Sequence, residues 1–282
     1  MKLLPDIRKE DYNDVQKILN YLFMVREWGD EDVEPIKYFH CFWKGDLSDL
    51  HLMSLKSLHE THPESHVILW TLDSFQMQGT LSWMKIKKLL KNKIKVIQVT
   101  RDHFKEANAE ILYSRFNLLC IAPEKDPNYK HQVGYASDVI RFIVLYIYGG
   151  VWFDLDILFL RNLNSIKIKR YVSQWGTAMC GNGALMRLEK GHTLIYELYN
   201  KIKNVPFYPE TTFQIENHLD ITILPSVFFD ILWRAKEELP KNLQIKDMDD
   251  FFNLSEWKMP QQLYAYHWHN RWNNSPPPFF KL

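Results

Sequence analysis

HQVGYASDVIRFIVLYIYGGVWFDLDILFL, residues 131–160, is the stretch from which the rest of the chain can be placed. Its first part, to about Tyr148, reads as a buried helix. Gly149 and Gly150 stop it, because glycine just past the last periodic residue takes a left-handed backbone without a Cβ penalty. A short apolar strand then delivers Asp154 and Asp156. Residues two apart in an extended segment point the same way, so both carboxylates are expected to face one ligand while Phe153 and Leu155 face the core. On the helix, Asp138 and Arg141 stand three apart and so share one face of an otherwise apolar element. Charged groups in such surroundings need partners.

Upstream, YFHCFW (residues 38–43) reads as a buried strand ending at Lys44 and Gly45. A helix carrying Leu52, Leu55 and Leu58 follows, stopped at Thr61, His62 and Pro63, and a second strand runs over residues 67–70. The pattern repeats as a helix at 81–90, a strand at 94–99 and a helix after Asp102. Strands alternating with helices predict an α/β fold with a mostly parallel central sheet covered on both faces. Ligands in such sheets lie at the carboxyl ends of the strands. That rule gathers Trp43, residues 70–73 with Asp73 at their end, and residues 154–156 around one crevice. Beyond the aspartates, residues 171–175, 184–187 and 221–224 read as strands, and 194–202 and 228–235 as helices. At the start, Val15, Ile18, Leu19 and Leu22 recur at helical spacing before a charged linker. Residues 1–35 are therefore expected to form a helical appendage to one domain, 36–282.

The chain's 282 residues, 46% of them hydrophobic, are enough to bury a sizeable core. A net charge of +1 offers no global field for nucleic acid or an anionic membrane, so an anionic ligand must be held locally. Cys41, Cys120 and Cys180 are odd in number and set among apolar residues, which fits reduced, buried thiols. No leader-like apolar segment opens the sequence, and no uninterrupted apolar run reaches the roughly 18 residues of a membrane span. A soluble, cytoplasmic chain with no integral membrane segment is expected, and an anchor outside these residues remains compatible with that reading.

Two carboxylates at a strand end make a hard oxygen site, suited to Mg²⁺ or Mn²⁺ when phosphate supplies further oxygens. The metal would screen the carboxylates from a diphosphate and stabilise that diphosphate as a leaving group. Here the residues resemble a known family, the glycosyltransferases with a D-x-D sugar-nucleotide motif. That family includes fungal initiating α-1,6-mannosyltransferases, animal α-1,4-galactosyltransferases and bacterial capsule enzymes. The resemblance rests on Ala136, Ser137, Asp138, Arg141, Tyr148, Gly149, Gly150, Trp152, Asp154 and Asp156. It extends upstream to FHCFWKG (residues 39–45) and ILW (68–70), and downstream to GNGALMRLEKGH (181–192) and AYHWHNRW (265–272).

The resemblance implies a GT-A type fold, a nucleotide-sugar donor (UDP-sugar first, GDP-mannose second), a carbohydrate or glycoconjugate acceptor, a divalent metal and retention of configuration. Asp156 would be the direct metal ligand and His267 would stand near metal and diphosphate. Asp154 would hold ribose and donor sugar, and Asp138 and Arg141 sugar hydroxyls. Phe42, Trp43, Asp73, Trp152 and Trp272 complete the set expected around the nucleotide. Asn270 and Arg271 replace the Gly-Ser that many relatives carry. The second protein ligand is thus open between Asn270 and His269, with Arg271 as a direct diphosphate contact.

Duller readings stand beside these. Trp43 and Trp152 can be core residues, Asp138 and Arg141 a structural ion pair, and His40 a satisfied core histidine. A haloacid-dehalogenase-like phosphohydrolase also presents two aspartates to Mg²⁺, but needs a small hydroxyl residue where Leu158 stands. A catalytically idle sugar-nucleotide-binding scaffold is the third class. An inverting transferase would need a base opposite the leaving group, to be sought among Asp220, Asp230 and Glu216.

Overall fold

A computed structural model describes residues 32–121, 129–175, 181–194, 196, 220–230 and 263–269. The helix expected at 11–26, most of that expected at 194–202, Cys180, Glu216 and Asn270 to Trp272 lie outside the described residues.

The alternation read from the N-terminal half is realised as β1 (Tyr38–Phe42), α1 (Asp49–Thr61), β2 (His66–Thr71), α2 (Ser74–Gln78), α3 (Leu81–Leu90), β3 (Ile94–Gln98), α4 (Arg101–Glu106) and α5 (Glu110–Ile121). Then come α6 (Tyr129–Tyr148), β4 (Gly150–Phe153), β5 (Ile157–Phe159), β6 (Tyr171–Gln174), β7 (Gly181–Leu188), β8 (Thr222–Leu224) and β9 (Ala265–His267). A seven-stranded sheet has the order β3-β2-β1-β4-β7-β6-β8, and β5 and β9 form a separate two-stranded sheet. The pairs β3/β2, β2/β1, β1/β4 and β6/β8 are parallel, while β7 runs antiparallel to both β4 and β6. The α/β class and the mostly parallel sheet are those expected.

Strand alternation sorts the core into two layers. Phe39 and Cys41 of β1, Val67 and Leu69 of β2, and Val151 and Phe153 of β4 pack with Leu55 and Leu58 of α1 and Trp83 and Ile86 of α3. Phe42, Ile68, Trp70 and Trp152 face the other way, against Phe104 of α4, Phe116 of α5 and the apolar face of α6. Nearly every residue of β1, β2 and β4 is buried, which is why they read as continuous apolar runs. Cys41 and Cys120 are buried free thiols.

The helix stop works as read, and its geometry shows why no other residue would serve. Gly149 and Gly150 have φ of +65° and +102°, and a Cβ on Gly150 would stand 2.5 Å from the Tyr38 carbonyl oxygen. His40 is a satisfied core histidine: its Nε2 donates to the Gly149 carbonyl at 3.0 Å, and its Nδ1 accepts from Trp70 Nε1 at 3.2 Å.

Two local expectations need correction. β4 ends at Phe153, and residues 154–157 form a turn closed by Ile157 N–H donating to Asp154 O at 3.1 Å. Strand parity therefore does not carry Asp156. Most of the helix expected at 228–235 lies outside the described residues; of its first residues, Phe228 ends the 3₁₀ turn Ser226–Phe228 and 229–230 are not helical. The carbonyls of Phe228 and Phe229, which a continuing helix would use, accept instead from Tyr264 N–H (2.9 Å) and His267 N–H (3.1 Å).

Candidate functional site

Asp154 and Asp156 leave the carboxyl end of β4 into two different environments. Asp154 stays on the α6 side of the sheet. Its Oδ1 accepts from Trp152 Nε1 at 2.8 Å and from Arg141 at 3.3 Å. The same Arg141 guanidinium nitrogen lies 2.6 Å from Asp138, so one cation joins two carboxylates from different elements. Arg141 also lies over the Trp152 ring at 5.4 Å and against Gly183 of β7, where any Cβ would overlap its guanidinium. Burial pushes the Asp154 carboxyl above the usual range, and Asp156 adds to the shift, so that Arg141 and Trp152 offset it only in part.

Asp156 belongs to a second cluster, assembled from remote parts of the chain. Its backbone carbonyl accepts from Trp268 N–H at 3.0 Å, and β9 pairs Ile157 with His267. The same tail is bonded to Phe228 and Phe229, which brings Asp230 alongside. His267 then stands between two carboxylates, with Nε2 3.2 Å from Asp156 Oδ1 and Nδ1 3.8 Å from Asp230. The Asp156 contact is a close ion pair without hydrogen-bond alignment. Its buried Oδ1 has no hydrogen-bond partner. His269 takes a left-handed backbone (φ 55°), which ends the strand, yet its ring lies 3.8 Å from that of His267 and its Nε2 lies 2.9 Å from both oxygens of Asp230. The two histidines do share a side, but through this turn rather than through strand alternation.

Electrostatics follows from the packing. Burial works against a charge on His267, but Asp156, Asp230 and Asp154 outweigh it and lift its pKa to about 9. Burial would likewise raise Asp156, yet His267 and His269 hold it below the usual carboxylate range. Asp230, His267 and His269 present ligand atoms all within 4.8 Å of one another. Two imidazoles and a carboxylate, with Asp156 paired to one of the imidazoles, are a donor set that fits a divalent transition-type cation.

The other expected residues divide. Trp43 is half-buried, donates to the Asp46 carbonyl at 3.0 Å, and lies 3.9 Å from His51 of α1. Burial lowers the pKa of His51 to about 4, and the charge of Asp156 offsets that in part. Asp73 caps α2 by accepting from Gln76 N–H at 2.9 Å, and lines a pocket with Lys44, Asp46, Thr71 and Thr80. That pocket sits at the ends of β1 and β2 and does not include Asp154 or Asp156. Phe42 and Trp152 point away from it: Phe42 packs on Phe116, and Trp152 is fully buried with its one donor spent on Asp154. Neither ring offers a face to a base. Trp272 lies outside the described residues. Of the fallback acids, Asp220 is engaged at the surface by Arg170 (2.7 Å) and His192 (3.2 Å), whereas Asp230 is the one in the site. A signal that could single out Asp230 is its place as the one acid within ILPSVFFDILW.

Residues 48–173 match the family described as a glycosyltransferase sugar-binding region containing a DXD motif. Over these residues, somewhat less than half of the chain, the sequence is similar to that family. The matched region holds α1 to β6 and both aspartates of the turn; Asp230, His267 and His269 fall beyond it. Inositol phosphoceramide mannosyltransferase 3 of Schizosaccharomyces pombe is 27% identical over 133 residues, which are 45% of this chain and 33% of that protein. The match thus spans about a third of its length. Solved glycosyltransferase structures align as well. PaToxG glycosyltransferase is 18% identical with TM-score 0.47 over 74% of this chain and 79% of that one. The galactosyltransferase LgtC, solved with donor and acceptor sugar analogues, is 13% identical with TM-score 0.44 over 83% and 87%. GlyE of Streptococcus pneumoniae TIGR4 is 10% identical with TM-score 0.48 over 86% and 57%.

Proposed function

We propose that this glycosyltransferase region moves a sugar, with retention of configuration, from a nucleoside-diphosphate sugar to a hydroxyl of a glycan or glycoconjugate. UDP is the first choice of nucleotide and GDP-mannose the second. The reading covers 36–282 as one GT-A type domain, with 1–35 as an appendage. The observation that carries it is the buried Oδ1 of Asp156, which has no hydrogen-bond partner and only the His267 ion pair at 3.2 Å, beside the group of possible ligands Asp230, His267 and His269. A buried carboxylate oxygen without an aligned donor is costly, and a cation held by these side chains would offset that cost.

Asp156, His267 and one or both of Asp230 and His269 would hold Mn²⁺ or Mg²⁺, the imidazoles favouring Mn²⁺. When bound, the ion supplies charge neutralisation for the diphosphate, both on binding and as it departs. Asp154, fixed by Trp152 and Arg141, would turn its remaining oxygen to ribose and donor-sugar hydroxyls. Asp138 would do the same from α6, while Arg141, engaged by both carboxylates, acts through them as a positioning residue. Trp43 and Asp73 would bound the nucleotide at the ends of β1 and β2. Asp230 is occupied by two histidines, so among the described residues none of the acids near the turn is free as an opposed base. A departing diphosphate oxygen would then take the acceptor proton on the face it leaves.

Calorimetry with UDP and with GDP, with and without Mn²⁺, tests the metal: binding is expected to need Mn²⁺ and to vanish in EDTA. Equal affinity in EDTA would remove the metal from the reading. Anomeric proton coupling in the product tests the stereochemistry, and a β-linked product from an α-linked donor would overturn retention.

A further inference from the structure

The chain's near-zero net charge conceals a one-sided segment. Between Asp73 and Asp102 there is no acidic residue, while Lys85, Lys87, Lys88, Lys91, Lys93, Lys95 and Arg101 all fall in it. The same segment carries the two most exposed large apolar side chains of the described residues, Phe75 of α2 (89%) and Leu81 of α3 (75%), together with Met84 (53%). α3 buries Trp83, Ile86 and Leu90 against the sheet. Leu81, Met84, Lys85 and Lys88, at i, i+3, i+4 and i+7, form its opposite face. Of these lysines, Lys85 pairs with Asp49 at 3.3 Å and Lys93 with Glu64 at 3.5 Å, both ion pairs at the edge of the face.

We propose that α2 and the solvent face of α3 are a peripheral docking surface for an anionic lipid bilayer. Phe75, Leu81 and Met84 enter the interface, and Lys87, Lys88 and Lys91 lie over the headgroups. Exposed apolar side chains gain from an apolar medium that they can enter, and lysines from a negative surface. A bilayer with anionic headgroups offers both at once. A second copy of this face would oppose lysine to lysine, and a nucleic acid would leave Phe75, Leu81 and Met84 in water. The surface also adjoins the pocket. α2 supplies Gln76 and Met77 to its wall, and Thr80 connects that wall to α3. Docking this face would therefore hold the pocket mouth beside the membrane surface, where a lipid-linked hydroxyl acceptor would be presented. The docking argument itself is independent of the proposed transfer reaction.

Co-sedimentation of the full chain with vesicles of phosphatidylcholine alone, and of phosphatidylcholine mixed with phosphatidylserine, tests it. Binding is expected only to the mixed vesicles and should weaken with salt. Lys87→Glu with Lys88→Glu should lower the partition constant at least about tenfold, since each lysine near an anionic surface adds roughly fivefold. Phe75→Ser with Leu81→Ser should lower it as well, with the residual binding more salt-sensitive than that of the unaltered chain. All four positions are exposed, so unchanged melting temperatures will show that the fold is intact. The proposal is overturned by equal binding to both vesicle types, by no binding, or by variants that bind like the unaltered chain. It is overturned equally by a dimer that Leu81→Ser dissociates, and by an RNA oligonucleotide that binds where vesicles do not.

Discussion

Asp154 and Asp156 are one residue apart, and the two clusters they anchor are built in opposite ways. Asp154 is enclosed by Arg141, Asp138 and Trp152, all within the 131–160 stretch, and its Oδ1 accepts two hydrogen bonds. Asp156 is enclosed by His267 from β9 and, through it, by Asp230 from the segment after β8, and its Oδ1 accepts none. In the first cluster the carboxylate oxygen is hydrogen-bonded, and the atom left without a hydrogen bond is Arg141 Nε. In the second, residues of the kinds that bind a cation meet, and the carboxylate oxygen itself has only the His267 ion pair. The difference teaches that a shared motif does not make its two carboxylates equivalent: one is fixed by neighbours in the same stretch, the other by residues from remote segments.

Asp156→Ala breaks the comparison most sharply. Sugar transfer is expected to fall by at least about a thousandfold, because a direct ligand is lost. The melting temperature should fall only modestly, since His267 loses its Asp156 ion pair but keeps Asp230 at 3.8 Å. Near-wild-type turnover would show that the second cluster is not the metal centre. Arg141→Ala should invert that pattern, acting first on the fold. It strands two buried carboxylates, which costs about 3–5 kcal/mol, readable as a lowered midpoint in urea. Should stability survive, the first cluster is not the closed ion network described.

Histidines sharpen the contrast in turn. His40 and His62 are held neutral, with burial lowering both to about 4, whereas the carboxylates around His267 hold it charged. His62 accepts from Leu163 N–H at 2.8 Å, a bond that protonation at that nitrogen would break. A depressed folded-state value means that the unfolded chain takes up protons first. The stability these two residues contribute is complete above the unfolded value near 6.5 and is lost as pH falls from there toward 4, about 3 kcal/mol each. Denaturation curves across that window should show the loss, and His62→Asn should shrink it. The smallest effect is expected from Asp230→Asn, which keeps the shape and removes the charge behind both ring nitrogens. Mn²⁺ affinity by calorimetry should drop about 10–100-fold, the usual cost of losing a carboxylate that orients a ligating histidine, with little change in melting.

How much of this was legible depended on whether a feature was local. The α6 helix, its glycine stop, β1 to β4 and the shared helix face of Asp138 and Arg141 could be read because period and spacing over a few residues decide which side chains share a face. The turn at 154–157 could not, because strand parity continues on paper until a backbone bond such as Ile157 to Asp154 ends it. Trp152 read equally well as a nucleotide wall or as core, and only its position on the α6 side of the sheet decided for burial. The charge balance misled in another way, since a sum over the chain cannot show that its acids avoid residues 74–101.

By itself, the sequence determined the class of fold, the order of its first strands, the paired aspartates at a strand end and the family to which residues 48–173 correspond. Each of these is written in the chain over distances that one helix or strand can span. Tertiary structure alone decided that Asp230, His267 and His269 converge on Asp156, and that α2 and α3 turn an apolar, basic face outward. Such meetings are set by how the 220–230 and 263–269 segments bond to one another and to the 154–160 turn. No periodic rule connects residues across the loops between them, so only the closed set of backbone bonds and buried contacts could bring them together.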